Sequence, residues 1–182
     1  MAALAAAVVI VAYTRIKNSP DVIYVPTPPE VAAEMLRLAE VGADDVVYDL
    51  GSGDGRIPIA AVRDFGARRG VGIDIDSRLV SEAEENARRA GAEVVERTEF
   101  IRGDIFRHDF SEATVLTLYL LPELNLRLRP QILALKPGTR VVSHSFKMGD
   151  WTPEATRTVK TDAGKTHYIY LWRVPPPAAE RE

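Results

Sequence analysis

Three glycines at alternate positions follow a run of strand-forming residues and one acid in VVYDLGSGDGRI, residues 46–57. The acid is Asp49, and the glycines are Gly51, Gly53 and Gly55. Glycines lack Cβ and let the backbone approach a ligand closely. The free N–H groups at the start of a following helix would face that ligand. The stretch therefore predicts a ligand-binding loop.

A second acid, Asp74, ends the next strand-like run, GVGID. In this place one carboxylate can accept hydrogen bonds from both hydroxyls of a ribose. The loop departs from the dinucleotide pattern G-x-G-x-x-G, because its third glycine arrives too early. Asp49 would repel a pyrophosphate and attract an ammonium. A ribose joined to an amino-acid end, as in S-adenosylmethionine, therefore fits better than NAD. The plainer alternative is a tight turn in which Asp49 only caps backbone groups.

The elements that must position these residues alternate between strand and helix. Strands are predicted at 45–50, 70–74, 99–104, 113–120 and 139–146, with helices at 27–38, 55–65, 76–90 and 122–135. TRTVKT and THYIYLWRV then predict a terminal hairpin that adds an antiparallel edge strand. Alternating units of this kind predict an α/β fold. The expected architecture is a Rossmann-like, doubly wound, seven-stranded sheet, mostly parallel with one antiparallel C-terminal strand.

The chain divides into four predicted segments. Residues 1–16 are apolar and form a possible membrane anchor, with Arg15 and Lys17 placing the domain on the cytoplasmic side. The alternatives are a helix packed on the domain or on a partner, or a disordered start. A linker at 17–26 precedes the domain at 27–174, and a Pro-rich, disordered tail follows at 175–182.

Composition excludes several classes of site. The net charge of −3 argues against nonspecific binding to nucleic-acid phosphates. No cysteine is present, which excludes disulfides, thiolate zinc sites and a cysteine nucleophile. His108, His144 and His167 are scattered, so no metal site is predicted.

Further motifs give the chain a family resemblance. YDLGSGDG, GVGIDID and RGDIF resemble the cofactor motifs of class I S-adenosylmethionine-dependent methyltransferases. YVPTPPEVAAEML, ATVLTLYLLPELN and LKPGTRVVSHSF resemble a narrower lineage. It includes archaeal broad-specificity protein-lysine methyltransferases and the mitochondrial lysine methyltransferase of the ATP-synthase c-subunit. The resemblance covers about residues 23–151 and implies the seven-stranded methyltransferase sheet. Members of this lineage also carry an apolar segment before the domain.

The resemblance implies how S-adenosylmethionine is held. Asp49 and the glycine loop would hold the methionine end, and Asp74 the ribose hydroxyls. Ile75 would lie against the adenine, and Asp104 would meet its amino group; a turn acid is the alternative for Asp104. The full set assigned to cofactor binding is Asp49, Gly51, Ser52, Gly53, Gly55, Asp74, Ile75, Asp104, Ile105 and Thr117.

Three residues are assigned to catalysis by the same resemblance. Tyr24 and Thr27 would lie near the transferred methyl group, and Thr27 is also expected to cap the first helix in a Thr-Pro-Pro-Glu box. Tyr119 would flank the acceptor amine, or else be a core aromatic residue. For His144, a core or hydrogen-bonding role is favoured over a general base.

The predicted activity is methyl transfer from S-adenosylmethionine to lysine side chains of a protein partner, with no nucleic-acid partner. The fourth strand lacks the [DN]-P-P-[YF] signature of adenine-N6 and glutamine-amide methyltransferases, which favours a true amine as acceptor. A small-molecule or lipid-headgroup methyltransferase and a non-catalytic cofactor-binding module are the alternatives.

Overall fold

The structure is a computed structural model, and it describes residues 24–176. The predicted apolar segment at 1–16, most of the linker at 17–26 and most of the tail at 175–182 lie outside the described residues. Among the described residues, no helix is both long enough and apolar enough to cross a membrane.

Strands and helices alternate through most of the described chain. The helices are α1 (Pro29–Leu38), α2 (Arg56–Phe65), α3 (Ser77–Ala90), α4 (Ala92–Arg97) and α5 (Pro122–Leu133). The strands are β1 (Val46–Leu50), β2 (Arg69–Asp74), β3 (Thr98–Arg102), β4 (Val115–Leu118), β5 (Arg140–His144), β6 (Ala155–Lys160) and β7 (Thr166–Arg173).

The strands form one seven-stranded sheet in the order β3-β2-β1-β4-β5-β7-β6. Neighbours from β3 to β5 pair in parallel, and β7 pairs antiparallel with both β5 and β6. This confirms the predicted α/β architecture. The predicted terminal hairpin is β6 and β7; β7 is the antiparallel C-terminal strand, and it inserts beside β5 and leaves β6 at the edge.

The central strands are buried on both faces because helices cover both sides of the sheet. Every residue of β1 and β4 is buried, while the edge strands β3 and β6 are partly exposed. Alternate residues of β1 enter different cores: Val46 and Leu50 join the cluster that contains Ile132 of α5, and Val47 joins the one that contains Met35 of α1. This alternation explains the nearly continuous apolar strand sequences.

The starts of two helices differ in how they are capped. Asp76 caps α3, because its side chain accepts a hydrogen bond from the backbone N–H of Arg78. Thr27 does not cap α1: the cap position is Pro28, with no side-chain cap hydrogen bond, and Pro29 begins the helix. The two prolines fix the backbone there and shift the helix start by one residue. The hydroxyl of Thr27 is thereby left for another partner.

Two local features escaped prediction. The short helix α4 follows α3 directly after Gly91 and was not expected. Strand β4 ends at Leu118, two residues before the predicted end, so Tyr119 lies beyond the strand. The second difference matters for the site, since Tyr119 is thereby released from the sheet.

Candidate active site

A cavity of about 580 Å³ lies where β1, β2 and β4 end, at the carboxyl edge of the sheet. Its size is typical of small-molecule sites. Most of the predicted site residues line it: Tyr24, Thr27, Asp49, Gly51, Ser52, Asp74, Ile75, Asp104, Ile105 and Tyr119.

The glycine loop is tied to the end of β2. The backbone N–H groups of Gly51 and Ser52 both donate to the carbonyl of Ile73, at 2.8 and 3.1 Å. Gly53 has a φ of 54°, a conformation that side-chain-bearing residues rarely adopt. A Cβ on Gly53 would lie 2.1 Å from Cε2 of Tyr24. The loop therefore needs glycine at 53 for its backbone and for the aromatic ring above it.

Asp74 holds the loop from the end of β2. Its Oδ2 accepts from the N–H of Gly53 at 2.9 Å, and its Oδ1 accepts from the N–H of Asp76 at 2.9 Å. Each carboxylate oxygen can accept more than one hydrogen bond. Asp74 can therefore shape the loop and still accept from a ligand hydroxyl in the cavity.

Asp49 is the most deeply buried acid of the cavity. Its Oδ1 accepts from the hydroxyl of Thr117 at 2.7 Å. Burial raises the pKa of Asp49 to about 7, and the charges of Asp74 and Asp54 add to this, while the hydrogen bond from Thr117 opposes it. A buried carboxylate in such surroundings is stabilised in its charged form by a cation.

The adenine end of the predicted site follows β3. Asp104 accepts at Oδ1 from the N–H of Phe106 at 3.0 Å, so it closes a turn as well as lining the cavity. Ile75 and Ile105 line the same part of the wall. Two apolar side chains and one carboxylate are suited to a flat heterocycle that carries an amino group.

The segment before α1 crosses the glycine loop. Arg56 donates from Nη1 to the carbonyl of Thr27 at 2.8 Å and from Nη2 to Oδ2 of Asp54 at 2.6 Å. Tyr24 lies over Gly53 and remains 40% exposed. Its pKa is raised to about 12, chiefly by burial and then by the charge of Asp54. Tyr24 is therefore a neutral phenol at physiological pH.

The other end of the cavity is aromatic and apolar. Tyr119 lies against His144, with ring centroids 3.9 Å apart, and 6.1 Å from the ring of Phe146. Leu120 and Leu124 also line this end. Tyr119 is thus both a cavity residue and part of an aromatic cluster.

His144 is fully buried behind this wall. Its Nδ1 lies 3.2 Å from Oγ1 of Thr27, and its Nε2 lies 2.9 Å from Nδ1 of His167. Burial, and to a smaller extent the charge of His167, lower the pKa of His144 to about 4. His144 is therefore neutral and hydrogen-bonded on both sides, as the favoured interpretation of the sequence expected.

The charges around the cavity favour a cationic ligand. Five carboxylates and two guanidinium groups line it: Asp49, Asp54, Asp74, Asp76, Asp104, Arg56 and Arg78. Arg56 pairs with Asp54 and Arg78 pairs with Asp76, both at 2.6 Å. Asp49, Asp74 and Asp104, the three acids that the sequence predicted, pair with neither of these two arginines, and Asp104 lies 3.6 Å from Nε of Arg107.

Three predicted cofactor residues do not line the cavity. Thr117 is fully buried and contacts Asp49, so it supports the site from behind. Gly53 lies beneath Tyr24, and Gly55 begins α2 against Phe100. Gly53 and Gly55 therefore contribute to the shape of the loop.

Several residues that line the cavity were missed, among them Asp54 and Arg56. These two connect the loop to the segment before α1. The loop sequence Asp-Gly-Arg contained this signal, because an acid and an arginine two residues apart on a tight turn can pair.

Comparison with known proteins agrees with this geometry. Residues 49–155 match the family model of the ANTKMT methyltransferase domain. A protein-lysine N-methyltransferase of Saccharolobus islandicus is 45% identical over 154 residues, which cover 84% of this chain and 94% of that protein.

A more distant relative is the lysine N-methyltransferase of the ATP-synthase c-subunit from Mus musculus. It is 30% identical over 135 residues, which cover 73% of this chain and 52% of the mouse protein. The chain therefore matches about half the length of that relative.

Among solved structures, an RNA methyltransferase of Salinibacter ruber in complex with S-adenosyl-L-homocysteine is similar over most of this chain. Its sequence is 52% identical, the TM-score is 0.76, and the match covers 86% of this chain and 97% of that one.

Proposed function

Because this chain belongs to the ANTKMT methyltransferase-domain family, we propose that its methyl acceptor is the side-chain amine of a lysine in a protein. The chain is an S-adenosylmethionine-dependent methyltransferase. The lysine acceptor is supported by the activity named for the Saccharolobus islandicus relative, which matches over nearly its whole length.

The acid-rich cavity fits the cofactor. We assign Asp49 to its ammonium group, Asp74 to its ribose hydroxyls and Asp104 to its adenine amino group. When bound, S-adenosylmethionine supplies a methyl group on a positively charged sulfur. The surplus of carboxylates over guanidinium groups matches a ligand that carries a sulfonium and an ammonium against a single carboxylate.

One observation carries the choice of acceptor: aromatic and apolar side chains line the same cavity as the acids assigned to the cofactor. Tyr119 and Leu120 line the same cavity as Asp49. Val25, which lines the cavity, is 57% exposed, and Leu121, which follows the lining residue Leu120, is 43% exposed, so apolar side chains in contact with solvent form a mouth of the cavity. Desolvation at such a mouth lowers the pKa of a lysine amine and frees its lone pair. A protruding side chain on a protein surface can reach such a mouth.

Methyl transfer from S-adenosylmethionine labelled in its methyl group tests this proposal. The purified enzyme is incubated with host lysate, and the products are digested either with protease or with ribonuclease. A parallel lysate has its lysines acetylated beforehand. We expect label that is stable to acid, lost after protease, kept after ribonuclease and absent from the acetylated lysate. Asp74→Asn is the inactive control.

Other distributions of label would contradict the proposal. Label lost with ribonuclease would identify RNA as acceptor. Label confined to small molecules or lipid would identify a small amine as acceptor.

RNA is the second candidate acceptor, because the Salinibacter ruber relative is described as an RNA methyltransferase. Charge favours protein over RNA. The net charge is −3, and the two arginines that line the cavity are paired with aspartates. A protein that grips phosphates usually presents unpaired arginine or lysine along its surface.

We also propose that residues 1–16 attach the enzyme to a membrane, with the domain on the cytoplasmic side. The support is the sequence: residues 2–13 are uncharged, and Arg15 and Lys17 follow. Sedimentation with anionic lipid vesicles compares the full chain with a chain that begins at Lys17. Equal sedimentation of the two chains would contradict the proposal.

A further inference from the structure

A lysine acceptor must lose a proton before it can be methylated. The side-chain ammonium of an unperturbed lysine has a pKa of about 10.4, so the lysine is protonated when it enters the cavity at neutral pH. The aromatic end of the cavity can desolvate that ammonium, and the proton still needs a route to water. This inference rests on the proposed lysine acceptor.

A continuous line of hydrogen bonds begins at the cavity wall. Thr27 lines the cavity, and its Oγ1 lies 3.2 Å from Nδ1 of His144. The other nitrogen of His144 lies 2.9 Å from Nδ1 of His167. His144 is fully buried, whereas His167 is partly exposed on β7. The line therefore runs from the cavity, through the core, to a residue that meets solvent.

We propose that Thr27, His144 and His167 form a proton relay that carries the proton of the acceptor ammonium from the cavity to solvent. The three residues lie far apart in the sequence, on the segment before α1, on β5 and on β7. The sheet joins them, because the end of β5 lies beside β7 and faces the segment that covers the cavity.

Each step of the relay moves one proton from one named atom to the next. The ammonium gives a proton to Oγ1 of Thr27 as that hydroxyl passes its own proton to Nδ1 of His144. Nε2 of His144 then gives its proton to Nδ1 of His167, and Nε2 of His167 releases one to water. The freed lone pair of the amine forms the N–C bond as the C–S bond of the sulfonium breaks, and that electron pair stays on sulfur.

The surroundings of His144 favour passing a proton on over holding it. Burial, with a smaller contribution from the charge of His167, lowers the pKa of His144 to about 4. The ring of Tyr119 covers it from the cavity side, with centroids 3.9 Å apart. Because a resident imidazolium is costly there, the proton passes through His144 without remaining on it.

A pair of variants at the cavity end tests the relay. Thr27→Val removes the hydroxyl at nearly constant volume, and Thr27→Ser keeps a hydroxyl. At saturating cofactor and lysine peptide near pH 7, we expect kcat to fall about tenfold or more in Thr27→Val and to stay near the wild-type value in Thr27→Ser. The Kd for S-adenosylmethionine, measured by calorimetry, should agree among the three proteins within about twofold.

A second pair of variants tests the end of the relay that faces solvent. His167→Ala leaves a space beside His144, and Thr166→Ala is the matched control on an exposed neighbour in the same strand. We expect His167→Ala to lose kcat near pH 7, to regain it with added imidazole, and to approach the wild-type rate as the pH rises towards about 10, where the acceptor amine is increasingly neutral. Thr166→Ala should match the wild type at every pH.

The outcomes separate the relay from the lysine acceptor. If the wild type methylates lysine and Thr27→Val or His167→Ala does so equally well, the relay is wrong and the acceptor stands. A deficit in His167→Ala that neither imidazole nor high pH reduces would also overturn the relay. Failure of the wild type to methylate any lysine would overturn both.

Discussion

The two ends of the cavity are built in different ways. At the cofactor end, Asp74 holds the backbone of Gly53 across 21 positions of sequence, and neighbouring strand ends supply the other groups. At the acceptor end, Thr27 meets His144 across 117 positions, through side chains alone. Backbone contacts within one sheet edge make a preformed site for a constant ligand. Side-chain contacts between distant segments make a wall that can serve catalysis without holding the cofactor.

This contrast predicts that the two ends are separable by experiment. Changes at the cofactor end should weaken the binding of S-adenosylmethionine. Changes at the acceptor end should lower turnover and leave cofactor binding nearly intact.

The largest expected effect is that of Asp74→Asn. The amide keeps one acceptor oxygen, so the N–H of Gly53 or of Asp76 loses its partner, and the proposed ribose contact is weakened as well. The loss of charge-assisted hydrogen bonds predicts that Kd for S-adenosylmethionine rises about 100-fold. Isothermal calorimetry measures it, and Asp44→Asn, at an exposed acid, is the matched control.

Gly53→Ala should have the next largest effect. The new methyl group would overlap the ring of Tyr24, and the backbone would be strained at a φ of 54°. Strain of about 2 kcal/mol corresponds to roughly a 30-fold rise in Kd for the cofactor. Gly42→Ala is the control, because nothing lies within 4 Å of a Cβ there. Equal affinities in the two variants would contradict the structure of the loop.

Cofactor binding should depend on pH through Asp49. Its pKa is raised to about 7, chiefly by burial, so the carboxyl is protonated below that pH and charged above it. A cation is attracted only by the charged form, so Kd should rise about tenfold for each pH unit below 7 and level off above it. Asp49→Asn should abolish this dependence. Thr117→Val should move it to higher pH, since the hydrogen bond from Thr117 lowers the pKa of Asp49.

The smallest expected effect on cofactor binding belongs to Tyr119. As the N–C bond forms, the amine becomes positively charged, and an aromatic face stabilises such a charge by about 0.5–2 kcal/mol. Tyr119→Phe should keep most of kcat/KM for a lysine peptide, while Tyr119→Leu should lose up to about tenfold. Neither should change Kd for the cofactor by more than about twofold. A large change in Kd would show that the two ends are not separable.

The same contrast explains what the sequence could predict. The β1 strand, the glycine loop and Asp74 are local patterns whose meaning follows from alternating burial and from backbone geometry, so the cofactor end and the parallel sheet were predicted. The insertion of β7 beside β5 depends on pairing between distant segments, and the sequence contains no local signal for that order.

The acceptor end of the cavity shows more clearly which contacts could not be predicted from the sequence. Thr27 begins a pattern that predicts a helix cap, yet Pro28 and Pro29 move the helix start and leave its hydroxyl to His144. His144 and His167 are 23 positions apart, and only strand pairing brings their rings together. Such contacts are set by tertiary packing, which local propensity does not encode.

The most direct test of the account is to identify the methylated atom. Purified enzyme, S-adenosylmethionine and a host protein fraction are combined, and the modified protein is digested and sequenced by mass spectrometry. We predict methyl groups on the side-chain nitrogen of lysine with the wild type, and none with Asp74→Asn. Methyl groups found on RNA, or on another type of amino acid, would contradict the account.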